Sequence, residues 1–159
     1  MARVLVTGMS GTGKSTVLLE LARRGVRVVD TDEDGWSTEH LVPGGAATEQ
    51  VWNADRMTQL LARAENDGIV VSGCASNQGS FYDRFDAVVL LAVPRDVLLE
   101  RIATRTNNPF GRDPIERDRI LADLDQVEPL LRATSTLEID GTQPVGAIAD
   151  RIQALVRQP

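Results

Sequence analysis

Gly8-Met9-Ser10-Gly11-Thr12-Gly13-Lys14-Ser15 gathers three glycines, a lysine and a hydroxyl into eight residues, in the spacing G-x-x-x-x-G-K-[ST]. Glycine permits positive φ, so the backbone at Gly8, Ser10, Gly11, Thr12 and Gly13 can wrap an anion with its N–H groups. A helix that starts at the end of such a loop adds its dipole to the same site. The pattern therefore predicts a cradle for a nucleotide triphosphate. Lys14 reaches the β- and γ-phosphates, the Ser15 hydroxyl ligates Mg²⁺, and Thr16 bonds the α-phosphate. Lys14 is the only lysine among 17 basic side chains. A compact ammonium thus stands where a charge must fit between two phosphates, a task for which the broad guanidinium fork is unsuited.

A second constellation follows Val28-Val29. Asp30, Asp32, Glu33 and Asp34 put four acids into five residues, and Asp30 and Asp32 share a side if the chain is still extended. One of the two can hold Mg²⁺ through water, and the other can orient or deprotonate an acceptor hydroxyl.

These residues need a scaffold that brings strand ends together. Val4–Thr7 reads as a buried strand before the loop, and Lys14–Arg24 as a helix closed by Gly25. Further strands are expected at Arg27–Asp30, Ile69–Ser72, Ala87–Val93 and Thr136–Ile139. Helices are expected over Glu49–Asn66, Asp96–Arg105, Pro114 to about Leu131, and from Pro144 to the end, with 31–48 rich in loops. Uninterrupted apolar runs such as Ala87–Val93 suit strands covered on both faces. The expectation is one α/β domain over 1–159, with a parallel sheet of about five strands and helices on both faces. Ligands of such sheets lie at the carboxyl ends of the strands.

Composition narrows the function. One cysteine, Cys74, and one histidine, His40, exclude an internal disulfide, a cysteine-built zinc site and a histidine network. A net charge of −6 without a basic stripe argues against a nucleic-acid partner. No apolar run is long enough to span a membrane, and MARVLVTG leads straight into the glycine motif rather than forming a signal peptide. A cytoplasmic protein, monomeric or homodimeric, is expected.

With both motifs placed, the chain resembles the shikimate kinase branch of small P-loop kinases, close to the adenylate kinase fold. Gly8–Ser15 corresponds to that family's P-loop, and Asp30-Thr31-Asp32 to its D-T-D. The resemblance implies that Asp30 lies near Mg²⁺ and Asp32 contacts the acceptor. It implies a small lid at about 106–114, in which Arg105 stacks on adenine and Arg112 swings onto the transferring phosphate. Ser72-Gly73-Cys74-Ala75 falls where the family has a glycine triplet, interrupted here by Cys74. The departures concern the acceptor. The family's two carboxylate-gripping arginines have no counterparts: Arg56 lies three residues late, and Val127-Glu128 precede Pro129-Leu130.

An acceptor region at about 31–66 and its neighbourhood offers Trp36, Trp52, Arg56 and Asn77 as substrate-binding candidates, with Ser76, Gln78, Phe81 and Tyr82 beside them. Cys74 reads as an inert thiol and His40 as loop surface. Together these readings predict an ATP·Mg²⁺-dependent phosphotransferase acting on a small-molecule hydroxyl, with Lys14, Asp32 and Arg112 catalytic. A nucleoside or nucleoside-monophosphate kinase and an ATP-binding switch are the alternatives.

Overall fold

The structure is a computed structural model that describes residues 1–41, 48–64, 66–105 and 113–158. Its centre is a parallel sheet of β1 (Arg3–Thr7), β2 (Val28–Asp30), β5 (Ile69–Ser72), β6 (Ala87–Ala92) and β7 (Leu137–Asp140), in the order β2-β5-β1-β6-β7. The strands are short apolar runs because both faces are covered. Alternate side chains feed two cores. Val4, Val6, Val70, Val89, Leu91 and Ile139 pack with α1 (Lys14–Arg23) and α6 (Val145–Val156). Leu5, Ile69, Val71 and Val88 pack with α2 (Ala54–Arg63) and with the 3₁₀ helix Gln78–Arg84. β1 lies at the middle, and the chain leaves its carboxyl end towards β2, two places away. The glycine loop therefore opens at the point where successive connections diverge, the crevice that such sheets offer to ligands. The expected fold class is met.

Two expectations about elements fail. Glu49–Asn66 is not one helix. β4 (Thr48–Trp52) pairs antiparallel with β3 (Ser37–Leu41), in the register Ser37↔Trp52 to Leu41↔Thr48. The helix α2 starts only at Ala54, where the Asn53 side chain accepts from the Arg56 N–H. Thr48, Val51 and Trp52 favour a pleated strand, and an N-cap asparagine marks the boundary that periodicity alone overran. The helix from Pro114 is also divided, into α4 (Pro114–Gln126) and α5 (Glu128–Thr134). Pro129 has no N–H to continue the ladder, and Val127 sits at the break with φ −96°. Ahead of α4 lies α3 (Arg95–Thr104), joined to it through Leu98, Ile102 and Ile120. Among the described residues no helix is long and apolar enough to cross a membrane.

Candidate active site

The glycine loop is built by close approach. A Cβ at Gly8, whose φ is +152°, would lie 2.4 Å from the Leu91 carbonyl oxygen, so only glycine lets the loop leave β1 against β6. Gly13 caps α1 with φ +99°. Thr12 is buried, and its hydroxyl donates to the Met9 carbonyl at 2.9 Å. The Lys14 ammonium folds back and donates to the carbonyls of Gly8 at 2.7 Å and Met9 at 2.9 Å. Burial lowers its pKa, while Cys74, Asp32 and Asp30 act to raise it and Arg105 to lower it. A partly desolvated ammonium tied, among the described residues, to loop carbonyls alone favours an anion as its partner.

The end of β2 faces this lysine. The Ser15 hydroxyl donates to Asp30 Oδ2 at 3.1 Å, and Asp30 Oδ1 accepts the Asp32 N–H at 3.0 Å. Burial pushes the Asp32 carboxyl up; Lys14 opposes this and Asp30 adds to it. Thr31, between the two acids, is buried and donates through both its N–H and its hydroxyl to the Ser72 carbonyl at 2.9 Å. Alternation therefore sends Thr31 into the protein and the flanking acids towards the loop.

Loop and acids open on one cavity of about 1230 Å³. One end carries Gly8 through Thr16, Arg101 and Arg105. Arg105 donates to the Ser10 hydroxyl at 3.1 Å. Arg101, one turn earlier on α3, donates to the carbonyls of Gly141 at 2.9 Å and Thr12 at 3.3 Å, and so braces the loop from outside. Sequence reasoning missed Arg101; its signal is the i−4 spacing from Arg105 on a helix that packs against the loop. The far end is lined by Asp32, Thr48, Glu49, Gln50, Cys74, Ser76, Gln78, Tyr82, Arg119 and Asp123. Arg119 and Asp123, also missed, are one turn apart on α4. Cys74 is held protonated: burial raises its pKa, against Lys14 and a hydrogen bond with Thr7.

The four substrate-binding candidates of the acceptor region do not line this cavity, and each has another task. Trp52 is only 2% exposed, lies in the core with Leu5 and Met57, and tilts against Phe81 at 5.9 Å between ring centroids. Asn77 spends its amide on the Trp52 backbone, accepting from N at 2.8 Å and donating to O at 3.0 Å. Arg56 lies over the Trp36 ring at 4.0 Å and donates to the Asp34 carbonyl, so this pair staples the acidic turn. Paired aromatics, amides and guanidinia serve packing as readily as binding, and the β3–β4 hairpin, unseen in the sequence, recruited them for packing. Arg112 and most of the expected lid lie outside the described residues.

A parallel sheet with a lysine-bearing glycine loop after its central strand, and acids across from it, defines the class of P-loop kinase folds. The AAA domain profile matches residues 4–122, and the chain belongs to that family. A dephospho-CoA kinase of Deinococcus radiodurans is 26% identical, with 98% of this chain and 91% of the relative covered. The shikimate kinase of Bacteroides thetaiotaomicron superposes with a TM-score of 0.65 at 19% identity, covering 99% of each chain. A gluconokinase of Sinorhizobium meliloti 1021 gives 0.57 at 22% identity, covering 98% of this chain and 93% of that one. These relatives are small-molecule kinases, and at such identities the superpositions establish the fold.

Proposed function

We propose that this protein transfers the γ-phosphoryl group of ATP to a hydroxyl of a small molecule. The observation that carries this reading is that Lys14 and Asp32 line one cavity, with Asp30 beside them bonded to the Ser15 hydroxyl of the same loop. Gly8–Thr16 binds the phosphates, and Arg105 sits where the nucleotide leaves the loop. The Ser15 hydroxyl and the Asp30 carboxylate, 3.1 Å apart, are hard oxygen donors that suit Mg²⁺, an ion that takes the rest of its shell from water and phosphate. Bound there, Mg²⁺ would neutralise charge on the phosphates.

Asp32 takes the hydrogen bond of the acceptor hydroxyl. The acceptor's hydroxyl oxygen attacks the γ-phosphorus, the bond from that phosphorus to the β,γ-bridging oxygen breaks, and the hydroxyl proton passes to Asp32 as ADP leaves. Lys14 exchanges its loop carbonyls for phosphate oxygens and follows the charge as it moves to ADP. The raised carboxyl of Asp32 is a better base than an ordinary aspartate.

The test is ADP release from ATP·Mg²⁺ by wild type and Lys14→Ala, with shikimate, gluconate, nucleosides, nucleoside monophosphates and aminocyclitols as acceptors. The expected result is acceptor-stimulated release that falls about 100-fold or more in the variant. Equal release by both proteins would refute the role of the loop lysine and the reading with it.

A further inference from the structure

We infer that the acceptor is a polyhydroxylated small molecule bearing a protonated amine, its ammonium held by Asp123 and one of its oxygens by the Tyr82 hydroxyl. This rests on the phosphotransfer reading and names the chemistry of the acceptor.

The first argument is the sign of the wall. Lys14, Arg101 and Arg105 are bonded to the glycine loop at the nucleotide end. Beyond them the charged lining residues among those described are Asp32, Glu49, Asp123 and one cation, Arg119. The Arg119 guanidinium is already committed to Thr48, donating to its carbonyl and, at 3.0 Å, to its hydroxyl. A carboxylate or phosphate acceptor would meet three carboxylates there, with no uncommitted cation among the described lining residues, and such juxtapositions repel.

The second argument is the state of Asp123. Its neighbour one turn back, Arg119, points to Thr48, and the Asp123 carboxylate has neither an ion pair nor a hydrogen-bond donor among the described residues. It stands exposed on the cavity wall, where partial desolvation pushes its carboxyl up against the opposing effect of Arg119. A carboxylate in that position gains most from a ligand cation with N–H donors.

The third argument counts protons around Tyr82. Gln78 is 2% exposed, and its amide is fully assigned. Oε1 accepts the Ala75 N–H at 2.9 Å, and Nε2 donates to Thr7 Oγ1 at 3.1 Å and to the Tyr82 hydroxyl at 2.8 Å. Tyr82 is thereby an acceptor towards Gln78, and its own O–H has no acceptor among the described residues. Lining the cavity, that proton is left for an oxygen of the ligand. With Asp32 on the reacting hydroxyl, the three groups describe one molecule: a hydroxyl, a second oxygen and an ammonium.

Calorimetric titration of the protein bearing a non-hydrolysable ATP analogue tests this, with 2-deoxystreptamine and glucosamine against myo-inositol, glucose and shikimate. At least one amine is expected to bind about tenfold or more tightly than its neutral counterpart. Asp123→Asn, checked for folding by circular dichroism, brings that amine to the affinity of the neutral compound, whereas Asp123→Glu keeps part of the preference. Tyr82→Phe weakens amine and neutral compound alike by about three- to tenfold. Equal or tighter binding of a neutral or carboxylate compound, absence of binding by both amines, or an amine preference unchanged in Asp123→Asn would overturn the inference. ADP release run in parallel separates the two readings: amine binding without transfer refutes the kinase reading alone, and transfer to shikimate or myo-inositol refutes the amine alone.

Discussion

Replacing Gly73 with alanine tests how the acids of β2 are held. A Cβ on Gly73 would lie 1.9 Å from Thr31 Oγ1, 3.2 Å from Thr31 Cβ and 3.5 Å from Trp52 Nε1. Thr31 cannot simply rotate away, because it is buried and its hydroxyl is bonded to the Ser72 carbonyl. Overpacking of this kind costs about 1–3 kcal/mol, and loss of the buried hydrogen bond a further ~0.5–1.5 kcal/mol. Gly73→Ala should therefore lose about 2–4 kcal/mol in urea unfolding, read as a fall in midpoint at constant slope. Recovering a contact of 3.4 Å requires about 1.5 Å of movement at Thr31, which Asp30 and Asp32 share, so turnover should fall about 100-fold. Thr31→Ala removes the offending oxygen. In that background Gly73→Ala should cost at least about 1 kcal/mol less, a coupling that a double-mutant cycle reads directly. A single variant within about 0.5 kcal/mol of wild type, or the same cost in both backgrounds, would refute the steric account.

The raised Asp32 carboxyl places the acid limb of the kcat/KM profile above the ordinary aspartate range, since activity needs the ionised form; Asp32→Asn should abolish that limb and most of the turnover. The sign for stability is opposite: folding raises this pKa, so ionised Asp32 opposes folding as pH rises, and Asp32→Asn should not destabilise in neutral urea titrations. A wild-type limb in the usual carboxylate range would contradict the burial argument. Arg101→Ala removes the brace on the Thr12 and Gly141 carbonyls and should weaken ATP binding about tenfold in fluorescence titration; unchanged affinity would show that the loop holds its shape unaided.

The nucleotide half was legible in the sequence because its chemistry is local. Gly8 to Ser15 are consecutive, so spacing alone predicts their convergence, and Asp30 and Asp32 come to them once β2 ends on the same side of the sheet as β1. The proposed acceptor half was not legible, because it is assembled from contacts distant in sequence. Asp123 and Arg119 reach the cavity only through the packing of α4, and Gln78 reaches Thr7 across 71 residues. Trp52 and Asn77 sit close to the expected pocket along the chain, yet Asn77 clamps the Trp52 backbone and the indole turns into the core. The hairpin that decides this was hidden because Glu49 and Gln50 read equally well as the opening of a helix.

β4 is fastened at both ends to different bodies. Arg119 of α4 grips it at Thr48, and Asn77, at the head of the 3₁₀ helix, grips it at Trp52. The strand thus ties together α4 and the 3₁₀ helix, both of which line the cavity. Any occupant that draws Arg119 away must slacken the hairpin, and by thermodynamic reciprocity whatever tightens the hairpin resists that occupant by the same factor. On the proposed function, substrate choice and hairpin rigidity would be two readings of one equilibrium, open to selection at Thr48 without a change to any residue of the phosphate loop.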